Sequence, residues 1–173
     1  MAFVLFILFL CFLRVGELFL SARNAKWLLE RGAVEYSSRH YPLIVGLHVC
    51  FFISLIIEYT GQQHHAFSLL LLILYFLLLL FKIWVITSLG KFWNTRIYRI
   101  PGTALVRKGP YKYFQHPNYA VVIAEIAVIP MIFHLYITAI VFSLLNLAVL
   151  FVRIKEENKV LHIQINTHSK ITT

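Results

Sequence analysis

Long, almost purely apolar runs are separated by short polar segments, and the run AFSLLLLILYFLLLLFKIWVIT at 66–87 is the extreme case. A bilayer core takes about 20 apolar residues per helix. On that measure the chain predicts five transmembrane helices, at roughly 2–20, 41–58, 65–88, 118–133 and 135–152. The fourth is short. The stretch AVIPMIFHLY leaves almost no loop before the fifth, so the last two are expected to form a tight helical hairpin. Residues 2–13 have no basic segment before them and no small-residue cleavage site after them, so they are read as a mature helix rather than a signal peptide.

Composition agrees. Of 173 residues, 60% are hydrophobic and only 13% charged, more apolar surface than a soluble domain of this size can hide. The expectation is a single all-α domain over 1–173, an integral membrane helical bundle. Cys11 and Cys50 fall in apolar runs and are read as small hydrophobes, without metal-binding spacing.

The formal charge of +9 raises the question of nucleic acid, and its distribution answers it. Apart from Arg14 and Lys82, which lie inside spans, the cations gather at 23–39 (including Arg39), 91–112 and 153–170. The intervening segments EYTGQQHH and PMIFHLY hold no Lys or Arg. With five spans the three basic segments share one side. The positive-inside rule makes that side cytoplasmic, with the N-terminus outside and the C-terminus in the cytoplasm. Basicity therefore reads as topology and attraction to anionic lipid, with no nucleic-acid partner.

Several chemistries are absent from the sequence. No Gly-x-Gly, P-loop, Gly-x-Ser-x-Gly or His-Glu-x-x-His motif is present, and the chain has no Asp, so no metal site is expected. Charges inside spans are expensive and call for partners or a function. Glu17 follows Arg14 by three residues and is expected to pair with it. Glu125 has no cation in its own helix; it either pairs with Lys82 across the bundle or faces a polar cavity. Lys82, near a span end, is expected to snorkel. His48, His64, His65 and His134 are read as satisfying local hydrogen bonds.

Two polar constellations remain. The first is RKGPYKYFQHPNY at 107–119, with three cations, three tyrosines, a His-Pro step and an Asn at a membrane edge. Gly109-Pro110 marks a turn. His116 before Pro117 is biased to extended backbone, and Pro117 suits the first position of span four. Backbone N–H groups then gather at that helix mouth, which suits a carboxylate or another anion. The plain alternative is an interfacial aromatic belt. The second constellation is RIKEENKVL at 153–161. Arg153, Glu156 and Glu157 share a helix face, and two Glu at a helix C-terminus oppose the dipole and call for a cation. An ordinary charged helix end is the alternative. Together the two segments suit a zwitterionic amino-acid cofactor, its carboxylate on donors and its ammonium on a carboxylate.

GPYKYFQHPNY, followed about 35 residues on by RIKEEN, resembles the isoprenylcysteine carboxyl methyltransferase family, whose hallmarks are Gly-Pro-Tyr, Arg-His-Pro-x-Tyr and a late Arg with paired Glu. The likeness covers about 84–161. Gln115 stands where an Arg is usual. The small size and the RNAKWLLERGAVEY loop are similar to a bacterial branch that includes alkylpyrone O-methyltransferases. The resemblance implies a membrane methyltransferase using S-adenosylmethionine, with S-adenosylhomocysteine as product. It implies donor binding by Gly109, Pro110, Tyr111, His116, Pro117, Asn118 and Tyr119, with Tyr111 and Tyr119 walling the adenosine. It implies that Glu156 or Glu157 takes the donor's ammonium, and that Arg153 orients those carboxylates or meets the acceptor's anionic oxygen. The expected acceptor is a lipophilic anion from the bilayer, an alkylpyrone enol or an isoprenylcysteine-type carboxylate, methylated at the cytoplasmic face of the cell membrane. Three other readings are kept: a phospholipid N-methyltransferase using Glu125 as base, a nicotinamide-dependent membrane reductase of the sterol type, and a non-catalytic membrane subunit. The chain's ending HIQINTHSKITT lacks the reductases' usual tail.

Overall fold

The computed structural model describes residues 1–36, 41–63 and 66–171, with side chains as far as Asn158; Arg39, His64 and His65 lie outside the described residues. Among the described residues five helices carry the chain: α1 (Ala2–Leu29), α2 (Tyr41–Gly61), α3 (Leu69–Leu89), α4 (Pro117–Ile132) and α5 (Tyr136–Ile171). The chain is an all-α membrane protein of the helical-bundle class, and α1, α2, α3 and α5 are each long and apolar enough to cross a bilayer. At 16 residues α4 is about 24 Å long, short of a hydrocarbon core of about 30 Å. Large apolar side chains such as Leu8, Phe12, Leu70, Leu77 and Ile140 stand exposed along these helices, as a lipid-facing surface requires. An addition to the all-α expectation is a pair of three-residue antiparallel strands, β1 (Val34–Tyr36) and β2 (Ile97–Arg99). Two compact units group the chain: Met1–Ser38 with Leu89–Leu105 and Glu156–Thr173, and Arg39–Ser88 with Val106–Lys155.

In the first unit, α1 continues to Leu29 rather than ending near residue 20, and its extension carries two buried polar residues one turn apart, Ser21 and Asn24. Asn24 Nδ2 donates to the carbonyls of Trp93 (2.7 Å) and Gly90 (3.2 Å). Ser21 Oγ donates to Asn94 Oδ1, and the Asn94 amide donates back to the Ser21 carbonyl at 2.8 Å. The irregular chain after α3 thus completes its backbone hydrogen bonding on α1 side chains. Arg14 and Glu17 pair at 2.8 Å, as expected.

In the second unit the expected hairpin is present. Helix α4 closes in a Schellman motif: Leu135 N–H donates to the Pro130 carbonyl, His134 N–H to that of Met131, and His134 takes the left-handed conformation (φ 59°). Helix α5 then starts at Tyr136, and its first turn is capped from α2. The Glu58 carboxylate accepts from Thr138 N–H at 2.7 Å and from Ile137 N–H at 3.0 Å. A carboxylate there satisfies orphan donors and complements the helix dipole.

Lys82 does not snorkel. Its side chain is buried in α3, and Nζ lies 3.1 Å from both oxygens of Glu125 on α4; the two residues are 3% and 1% exposed. This corrects the reading of Lys82 and settles the open reading of Glu125 as the pair. Position near a span end invites snorkelling, but a carboxylate on the next helix offers a partner without exposure to headgroups.

The loop into α4 is fixed against α3. Gly109 sits at φ +54°, and a Cβ there would run into the Ser88 side chain and against Trp84 Nε1. Glycine is required twice over, for the left-handed backbone and for the close approach.

Two outcomes follow for thermal unfolding in detergent. Lys82→Leu leaves a buried carboxylate without its cation and should cost about 3–5 kcal/mol, whereas Lys82→Leu with Glu125→Leu should recover most of that loss. Equal stability of the single and double variants would contradict the pairing. Gly109→Ala should cost roughly 1–2 kcal/mol from backbone handedness alone. Adding Ser88→Ala to it should return only the part due to the clash.

Candidate functional site

The polar segment before α4 folds by local rules. Gly109–Lys112 form one 3₁₀ turn, with Tyr111 N–H on the Lys108 carbonyl and Phe114 N–H on that of Pro110. Pro110 is buried in this turn, and Tyr111 is half-buried. Gln115, standing in the place of the usual Arg, is exposed. His116 is the N-cap of α4 with φ −131°, and Pro117 occupies the first helical position, as the His-Pro step predicts. Asn118 is half-exposed. Two donors of this helix mouth are already engaged: Tyr119 N–H and Ala120 N–H both reach the His116 carbonyl.

On this frame three side chains of the second unit meet. The His116 ring stacks on Tyr119 with centroids 5.3 Å apart and planes 20° from parallel. From α5, Arg153 Nε donates to Tyr119 Oη at 2.9 Å, and its guanidinium carbon lies 5.5 Å from the ring centroid. Tyr119 is buried, while His116 and Arg153 are half-buried. The phenol oxygen accepts, so it aims the guanidinium, and the ring adds a cation–π contact. The group presents a fixed cation and a flat aromatic pair. It suits binding and orienting an anion and a planar ring system.

Glu156 and Glu157, helical and half-buried, belong to the first unit. There Glu157 Oε1 lies 3.7 Å from Arg99 Nη2, on β2. Strand β2 is held by its pairing with β1, Val34 opposite Arg99 and Glu35 opposite Tyr98. The Glu35 carboxylate takes Arg96 Nη1 at 3.1 Å and the Tyr98 hydroxyl at 3.0 Å. Burial, then the bond to Glu35 and its negative charge, push the Tyr98 phenol above its ordinary range, so it stays a neutral donor to that carboxylate.

The structure thus joins His116, Tyr119 and Arg153, and packs Gly109 and Pro110 into the turn that precedes them. Sequence reading missed the Arg99–Glu157 ion pair, because Arg99 lies within a basic segment whose cations were taken together as a topology signal and its partner is far along the chain. Glu58 was missed for the same reason, since a capping carboxylate from another helix leaves no local motif.

The chain is similar to known proteins. The family model for the isoprenylcysteine carboxyl methyltransferase (ICMT) family matches residues 69–163, which include Lys82, Glu125 and all three stacked and hydrogen-bonded residues. The chain is 40% identical over 161 residues to "Uncharacterized protein YpbQ" of Bacillus subtilis (strain 168), covering 92% of this chain and 96% of the other. It is 33% identical over 159 residues to an "Uncharacterized protein" of Haemophilus influenzae (strain ATCC 51907 / DSM 11121 / KW20 / Rd), covering 87% and 91%. No solved structure matches it. With its Gly-Pro-Tyr turn, its His-Pro-x-Tyr helix start and its Arg153–Tyr119 bond inside the matched region, the chain belongs to the isoprenylcysteine carboxyl methyltransferase family.

Proposed function

We propose that the chain is an S-adenosylmethionine-dependent O-methyltransferase acting on a lipophilic anion drawn from the bilayer, either a long-chain alkylpyrone enol or an isoprenylcysteine-type carboxylate. The observation that carries this reading is the Arg153 Nε–Tyr119 Oη bond with His116 stacked on the same ring.

The residues fit the donor's chemistry. A stacked imidazole and phenol offer a flat surface for a purine. Glu156 and Glu157 offer carboxylates for an ammonium. In this reading Gly109, Pro110, Tyr111, His116, Pro117, Asn118 and Tyr119 bind the adenosine and the near part of the donor. Arg153 meets the acceptor's anionic oxygen. When bound, S-adenosylmethionine supplies a methyl group on a sulfonium, open to in-line displacement.

The acceptor is already an anion at neutral pH, so the residues need not remove a proton. Their work is alignment of the reacting atoms at about 3–3.5 Å and replacement of water by fixed polar groups. An N-methyltransferase needs a base instead. Glu125 is the carboxylate first considered for that role, but Lys82 holds both its oxygens in the helix interior, which counts against the phospholipid reading. The basic segments favour a cytoplasmic site supplied with donor from the cytosol and acceptor from the membrane.

Titrating the purified protein with S-adenosylhomocysteine should give saturable binding; a flat isotherm refutes the reading and favours a non-catalytic subunit. Membranes incubated with methyl-labelled donor and lipid extract should yield a labelled ester or enol ether by mass spectrometry, whereas label in phosphatidylethanolamine derivatives would transfer the assignment to N-methylation. Tyr119→Phe removes the acceptor for Arg153 Nε and should lower kcat/KM about tenfold or more, since hydrogen bonds to charged groups are worth about 1.5–3 kcal/mol, while the protein stays folded. A loss of stability matching the loss of activity would mark Tyr119 as structural.

A further inference from the structure

We propose that Trp27, Arg31 and Lys91 form a binding site for the phosphodiester headgroup of an anionic glycerophospholipid. All three residues belong to the first unit, and the proposal does not rest on the methyltransferase reading. The basic segments as a whole imply a general attraction to anionic lipid. Here one headgroup is assigned to three side chains.

About 20 residues of α1 fill a hydrocarbon core, so Trp27, near the end of a 28-residue helix, comes out in the headgroup layer, where tryptophan is enriched. Two cations converge on it. The Arg31 guanidinium carbon lies 3.9 Å from the ring centroid, and Lys91 Nζ lies 5.3 Å from the same point. Both come from anchored backbone. Arg31 follows α1 in a turn closed by its own N–H on the Leu28 carbonyl and by Gly32 N–H on that of Leu29. Lys91 sits in the 3₁₀ turn Gly90–Phe92, whose Gly90 carbonyl accepts from Asn24 of α1.

Like charges gathered on one ring repel each other, and the ring's quadrupole offsets only part of that repulsion. An anion is the complement they call for. Glu17, Glu35 and Glu157 are engaged elsewhere, with Arg14, Arg96 and Arg99. Glu30 adjoins Arg31 in sequence, but among the described residues the two form no ion pair. Donors remain for a ligand. Arg31 spends one N–H on the Trp27 carbonyl at 3.2 Å, out of the five that a guanidinium carries, and Lys91 has three on its ammonium. Both side chains are exposed, so a headgroup reaches them. A phosphate can accept from either at the roughly 2.7–2.9 Å of charge-assisted hydrogen bonds. The surroundings favour a lipid over free phosphate. Leu29, between Trp27 and Arg31 in the chain, and Phe92, next to Lys91, are both exposed, and the Phe92 ring packs edge-on against Trp27 with centroids 5.6 Å apart. Apolar side chains open to the surroundings beside two cations match an anion that carries acyl chains. A soluble phosphate would use the cations alone.

The test is native mass spectrometry of the full chain released from detergent, with dioleoyl phosphatidylglycerol, dioleoyl phosphatidylcholine and inorganic phosphate as probes. Wild type should retain one phosphatidylglycerol about tenfold more tightly than phosphatidylcholine, and inorganic phosphate should bind far more weakly. Arg31→Gln with Lys91→Gln should remove that preference. General attraction depends on charge alone, so variants that keep the charge separate it from a defined site. Arg31→Lys loses the planar stack and the fork, and Trp27→Leu loses the ring; each should cut the preference about two- to fivefold at unchanged net charge. Arg23→Gln with Lys26→Gln removes the same charge from exposed positions nearby and should cost less than the Arg31 and Lys91 pair. Arg31 is exposed, so Arg31→Lys remains decisive if Trp27→Leu fails to fold. An unchanged preference in Arg31→Lys, or equal losses in the two charge-removing pairs, overturns the site in favour of diffuse attraction. Inorganic phosphate binding as tightly as phosphatidylglycerol overturns the assignment to lipid.

Discussion

A membrane interior leaves no polar group to be satisfied by solvent, and the Lys82–Glu125 pair is where that constraint acts most strongly in this chain. Each charge alone inside an apolar bundle is costly. Facing each other at 3.1 Å with both carboxylate oxygens engaged, they are compatible with burial. The pair joins α3 to α4 and sets where along α3 the short helix sits. At its other end α4 is held by the Schellman closure and by Ser68 N–H on the Ile132 carbonyl. A 16-residue helix fixed at its middle and at its C-terminal end presents its N-terminal His116–Tyr119 segment from a defined position. The turn before it is held in the same way, by Gly109 packed against Ser88 and Trp84.

Helices are the part of this fold most legible from sequence, because lipid demands continuous apolar length. The tight α4–α5 connection was legible as well: Pro130 to Tyr136 leaves no room for anything but a closed turn. Local partners were legible too. Arg14 and Glu17 are one turn apart, and His116 before Pro117 is biased to extended backbone, which suits a helix start. What the sequence hid was partner choice across the fold. Lys82 looked like a snorkelling lysine because its partner lies 43 residues away, on a helix whose rotation no local signal states. Ser21 and Asn24 lie past the expected end of the first span at about residue 20, yet they are helical and complete the hydrogen bonding of residues 90–95. The strands were too short to register as a periodic pattern, and Arg99 was submerged in a basic segment.

Of the two candidate constellations, the one before α4 is better explained by a site than by an interfacial aromatic belt. A belt needs tyrosines at the headgroup level with their hydroxyls toward water. Tyr113 fits that description, being exposed beside Lys112. Tyr119 does not: it is buried, its hydroxyl accepts from Arg153, and its face is covered by His116. The same segment therefore contains both kinds of tyrosine, and the buried one holds an arginine by a hydrogen bond.

Oriented cations and carboxylates, rather than activated nucleophiles, are what methyl transfer to an existing anion requires. A side chain serving as base must be free to change its proton, whereas one that positions a ligand gains from being held. Arg153 is held by Tyr119. Arginine keeps its charge under that restraint, because its guanidinium does not deprotonate in proteins. A site assembled from such groups responds to substitution mainly through the affinity and alignment of what it binds. This is why measurements of ligand preference, more than pH profiles, distinguish its residues from merely structural ones.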